Sequence, residues 1–126
     1  MLLKKTSPFI MFILLSSSKA FAISCDNPIN SYDVTYCYSS EMIQLDEKLN
    51  EQYKKTINSL GNEKRKMVKT SQIEWIRNRD SDCSSNGSIN VACVNDKMKK
   101  RIEKLSQIER ECKASGCNND LLSRND

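Results

Sequence analysis

The side chains that could do chemistry here are six cysteines, at 25, 37, 83, 93, 112 and 117, and a scatter of carboxylates; there is no histidine. Without histidine, Ser-His and Cys-His nucleophile pairs are excluded. The three glycines stand alone, so no glycine loop cradles a phosphate. The cysteines do not make the two Cys-x-x-Cys pairs of a four-thiolate zinc site, and neither metal nor cofactor is expected. Glu41, Asp46, Glu74 and Asp80 could supply a glycosidase-like carboxylate pair. Carboxylates on helices are ordinary, however, and a small helical domain offers little cleft. The chain reads as a non-enzyme, and its thiol chemistry as oxidation: an even cysteine count in a short exported chain implies a disulfide framework.

Export is read from the start of the chain. Met1-Leu2-Leu3-Lys4-Lys5, a mostly apolar run from Pro8 to Leu15 and Ala20-Phe21-Ala22 are the three parts of a secretory signal peptide, residues 1–22, cleaved after about Ala22. The apolar centre is shorter than the roughly 20 residues that cross a bilayer, and no later segment is apolar enough to do so. The competing reading is a lipoprotein site at Ala22-Ile23-Ser24-Cys25, which would leave five thiols for pairing. A periplasmic or secreted protein is expected. Lys4, Lys5 and Lys19 leave with the leader, so 17 basic residues face 16 acidic ones and the net charge falls from +4 to about +1. The runs Lys64-Arg65-Lys66 and Lys97, Lys99-Lys100-Arg101 read as solvated helix faces, with no sustained basic surface for nucleic acid.

Helices must position these groups. About 104 exported residues make one small domain, with no proline after Pro28 to interrupt a helix. The expected fold is all-α: a disulfide-stapled bundle of three main helices over 23–117, with an irregular N-terminal segment and a flexible tail at 118–126. Residues 23–38 are polar, with at most a short helical turn before Cys37. Ser39 or Ser40 is the expected cap of the first helix. Met42, Leu45, Leu49, Tyr53, Thr56 and Leu60 then form an apolar stripe, and Gly61 is expected as a left-handed helix stop. At 100° per residue, Val68, Ser71, Gln72, Trp75, Arg79 and Asp82 share one stripe of the second helix, centred on the only tryptophan. Asp46 lies within about 40° of the first stripe's centre, and a partner in Arg79 or the Trp75 indole is expected. Val91, Val94, Met98, Ile102, Leu105 and Cys112 mark a third helix that ends near Ala114-Ser115-Gly116.

An up-down-up bundle puts Cys25, Cys37, Cys83 and Cys93 at one end, with Cys112 and Cys117 pairing at the other. The first four allow three connectivities; the local pairs Cys25–Cys37 and Cys83–Cys93 are favoured, and Cys37–Cys83 stays open. Ser84, Ser85, Asn86, Gly87 and Ser88 form a loop by composition. Tied at its base by cysteines, that loop is the candidate partner-binding element, because preorganisation lowers the entropic cost of contact. Saposin-like lipid binding is a poorer fit, since the chain has no strongly apolar outer face.

The order Cys25, Cys37, Leu45-Asp46, Leu49-Asn50, Tyr53, Gln72, Trp75, Arg79-Asp80, Cys83, Cys93 resembles the LprI-type lysozyme inhibitor family of exported bacterial proteins. Arg101 and Leu105 fit the closing helix of that pattern, whereas Cys112 and Cys117 lie outside it. The resemblance covers about Cys25 to Leu105. It implies a helical envelope protein whose partner is a protein, lysozyme or another cell-wall hydrolase, blocked by contact. The alternative is an envelope interaction module without inhibitory action. The motif residues look structural: Leu45, Leu49, Tyr53 and Trp75 read as core and Arg79 and Asp46 as polar ties, with Gln72 and Asp80 completing the motif, so no inhibitory residue is carried over. Host lysozymes are strongly basic, and a nearly neutral inhibitor must then act through shape and a loop.

Overall fold

Asn30 starts the first helix, well ahead of the expected Ser39 or Ser40. In this computed structural model, which describes residues 25–126, α1 runs Ser31–Asn58. The signal peptide read at 1–22 lies outside the described residues. Asn30 Oδ1 accepts from the Asp33 N–H at 2.9 Å, and Asp33 Oδ2 accepts from the Ile29 N–H at 3.1 Å. The first is an N-cap bond that satisfies a donor of the opening turn, and the second ties the residue before the cap back onto the helix. The irregular N-terminal segment therefore shrinks to the residues ahead of Ser31.

Gly61 also departs from expectation. Its φ of −74° and ψ of 170° are extended, not left-handed, and it serves as the N-cap of α2, Asn62–Asp82. A two-stranded hairpin follows, β1 Ser84–Ser85 against β2 Ser88–Ile89, with Ser84 opposite Ile89 and Ser85 opposite Ser88. Asn86 at φ 51° and Gly87 at φ 75° form its two-residue turn. Asn-Gly is the pair that tolerates two successive positive φ angles, and that twist matches the strands. Next, α3 spans Val91–Ala114, and Asn90 caps it by accepting from the Cys93 N–H at 3.0 Å.

Hydrogen bonds give the directions. Tyr38 O accepts from Asn95 Nδ2, and Leu105 O accepts from Thr56 Oγ1, so α1 and α3 run parallel. Lys97 pairs with Asp82, while Lys64 Nζ reaches Cys117 O, so α2 runs against α3. This is the up-down-up order. The core takes Leu45 and Leu49 from α1, Val68 and Trp75 from α2, and Val94, Met98, Leu105 and Ile108 from α3. Each large apolar side chain buried there contributes about 1.5–3 kcal/mol. Met42, Tyr53 and Ile57 pack half-buried on its edge.

The tail is corrected too. Instead of trailing free, residues 118–126 carry a fourth helix, α4 Asn119–Ser123, capped by Asn118 and packed on α2. Leu121 is buried and Leu122 is 0% exposed. Two adjacent leucines behind an Asn cap outweigh the polarity around them. None of the helices among the described residues is long and apolar enough to cross a membrane.

Candidate functional site

Three disulfides brace the bundle: Cys25–Cys37, Cys83–Cys93 and Cys112–Cys117. The first ties the chain ahead of the Asn30 cap to the second turn of α1. The second closes the base of the hairpin, with Cα atoms 5.6 Å apart, and the Asn90 N–H donates to Cys83 O at 2.8 Å beside it. Ser84, Ser85, Asn86, Gly87 and Ser88 are exposed on a turn whose two ends cannot separate.

Beside the hairpin lies a groove of about 610 Å³. Met42, Ile43, Asp46 and Glu47 come from α1, Arg79 and Asp80 from α2, Ser84 and Ile89 from the hairpin, and Val94 and Met98 from α3. The helices supply the floor because Met42, Val94 and Met98 end the three-helix core there. Ile43 and Ile89 are each 65% exposed at the rim, a large apolar surface for positions with no packing partner. Sequence reasoning passed over both. The signal was present in Ile43, an isoleucine one position off the α1 stripe.

The expected role of Asp46 needs correction. It is exposed and makes no hydrogen bond to Arg79 or to the indole. Arg79 turns instead to its neighbour: its Nε and Nη2 donate to Asp80 Oδ1 at 2.9 and 2.7 Å. A chain neighbour on the same exposed rim costs less reorganisation than an approach across helices. Arg79 also places its guanidinium 5.3 Å from the centroid of the Trp75 ring. Thus Asp46, Arg79 and Asp80 share the groove, while Leu45 and Leu49 lie in the core below it.

Away from the groove is a polar knot that the sequence reading missed. Arg101, expected on a solvated face, is 0% exposed. Its Nε donates to Gln72 Oε1 at 2.8 Å, its Nη2 to Ser71 Oγ at 3.0 Å and its Nη1 to Arg124 O at 2.9 Å. It also lies over the Trp75 ring, 5.9 Å from the centroid. Burial lowers its pKa to about 10, so the guanidinium stays charged at neutral pH. A buried cation is tolerable only with such a set of acceptors. The spacing Val94, Met98, Arg101, Leu105, Ile108 puts Arg101 on the core stripe, and that spacing could have identified it. Tyr53 is half-buried, and burial raises its phenol pKa.

Among the described residues, no group of three His, Cys, Asp or Glu side chains could hold a metal ion. What the site offers is shape, apolar rim and charge. A family model described as lysozyme inhibitor LprI matches residues 25–105, which take in the whole groove, the hairpin and two of the three disulfides. The chain belongs to the LprI lysozyme inhibitor family. No curated protein matches it, and no solved structure does. The LprI match ends at Leu105, so the Cys112–Cys117 bridge and α4 lie beyond it. The extracellular or periplasmic setting of LprI proteins agrees with a fully paired cysteine set, for among the described residues none is free.

Proposed function

We propose that this chain blocks a cell-wall muramidase by protein–protein contact from its four-cysteine end, after export and removal of residues 1–22. The family match over residues 25–105 carries the reading. Physical support comes from the groove and hairpin. The hairpin is preorganised by Cys83–Cys93, which reduces the ordering cost of binding. Ile43 and Ile89 provide apolar anchors on either side of the groove. Asp46, Glu47 and Asp80 line one rim, and because Arg79 offsets Asp80, two carboxylates stand uncompensated there on a chain of nearly neutral net charge. That local acidity suits a basic hydrolase better than the total charge suggests.

The test is clearing of peptidoglycan by chicken-type, goose-type and bacterial muramidases in the presence of excess oxidised protein. Inhibition of at least one enzyme, lost when the disulfides are reduced, is the expected result. Undiminished clearing by all three would leave the protein as an envelope interaction module without inhibitory action.

A further inference from the structure

The rim of the groove carries a charge imbalance that its surroundings do not. Two nearby lysines are engaged elsewhere, Lys97 with Asp82 at 2.7 Å and Lys99 with Glu41 at 2.6 Å. Arg79 and Asp80 neutralise one another. Asp46 and Glu47 remain, both exposed and both lining the groove, and neither is paired with another side chain among the described residues. Beside them the groove is lined by the apolar Met42, Ile43, Ile89, Val94 and Met98, with Ser84 and the Arg79–Asp80 pair as its remaining polar lining. Unpaired carboxylates above an apolar floor fit a side chain that is apolar along its stem and cationic at its tip.

We propose that the groove receives an arginine or lysine side chain from the surface of the partner protein, its methylenes against Met42, Ile43 and Ile89 and its cationic head at Asp46 and Glu47. The partner's being a muramidase rests on the function proposed above; the chemistry of the groove does not. A partner lacking an exposed basic residue is rejected, because the two carboxylates would be desolvated without compensation.

Two measurements test this separately. In amide NMR titrations of the oxidised chain, the probes are the capped tripeptides acetyl-Leu-Arg-Leu-amide and acetyl-Leu-Gln-Leu-amide. The arginine peptide should shift residues 42–47, 79–80 and 84–89, with shifts at least threefold smaller for the glutamine peptide and for the Asp46→Asn/Glu47→Gln variant. That variant should keep the wild-type melting temperature, since both side chains are exposed. Equal shifts from the two peptides, or shifts mapping elsewhere, would overturn the proposal. In the clearing assay, Asp46→Lys/Glu47→Lys should weaken inhibition at least tenfold, while Glu63→Lys/Glu103→Lys should not. Inhibition that survives Asp46→Lys/Glu47→Lys sinks the groove and leaves the inhibitor standing. A groove that selects the arginine peptide on a chain inhibiting no muramidase does the reverse.

Discussion

Two guanidiniums lie over one indole, yet they belong to unlike regions. Around Arg101 the molecule is closed: three neutral acceptors take its donors, one of them a carbonyl of the tail, and α4 covers α2 nearby. Around Arg79 it is open, with a single exposed carboxylate for a partner and a groove alongside. The same residue type is thus used for cohesion in one place and for display in the other. Burial decides which: hydrogen bonds in a low dielectric are strong and costly to break, while Arg79, partly covered itself, pairs with a carboxylate that is 60% exposed and open to water.

The contrast breaks most directly through its two arginines. Arg101→Ala removes a buried stem and strands Gln72, Ser71 and the Arg124 carbonyl, so a loss of about 3–5 kcal/mol is expected in urea unfolding. Arg79→Ala should cost less in the same experiment, about 1–2 kcal/mol, for the contact with Trp75 and an ion pair to an exposed carboxylate. Equal costs would mean the two regions do not differ as described. Leu122→Ala sharpens the closed side. A fully buried leucine beyond the family match should contribute about 2–5 kcal/mol, whereas a loose tail would contribute nothing measurable.

The smallest effect is acid sensitivity. Hydrogen bonding to Lys99 lowers the pKa of Glu41, and Lys113 and Gln52 lower that of Glu109. A carboxylate whose folded pKa lies below its unfolded one stabilises the fold above the unfolded value of about 4.5 and loses that contribution as pH falls through the folded value. The Glu41 side chain is 39% exposed and Glu109, 17% exposed itself, pairs with a lysine that is 60% exposed, so the melting temperature should drop only slightly between pH 5 and pH 3, by the equivalent of about 1 kcal/mol or less. Glu41→Gln and Glu109→Gln should each remove part of that slope.

Much of the closed architecture was legible in the sequence. The stripes through Leu45, Leu49 and Thr56 and through Val68, Gln72 and Trp75 are buried where helical periodicity put them. The rest was hidden for identifiable reasons. The start of α1 depends on a local cap, Asn30 accepting from the Asp33 N–H, that hydropathy does not register. The hairpin consists of two-residue strands, too brief for alternation to appear, although Asn86-Gly87 announces its turn. Arg101 is hard to place because a charge within a basic run points to solvent, although its spacing from Leu105 and Ile108 puts it on the core stripe. For the groove, the types were visible but the convergence was not: Ile43, Asp80 and Ile89 meet only after three helices and a turn have been placed.

One consequence follows from Trp75 being the sole tryptophan of the chain. Its emission needs no label, and excitation at the red edge of the indole band separates it from the four tyrosines. Because Arg79 and Arg101 both stand within 6 Å of the ring centre, the spectrum should respond to events at the rim and to any slackening of the tail. A single optical signal can thus follow occupancy at one boundary of the molecule and integrity at the other.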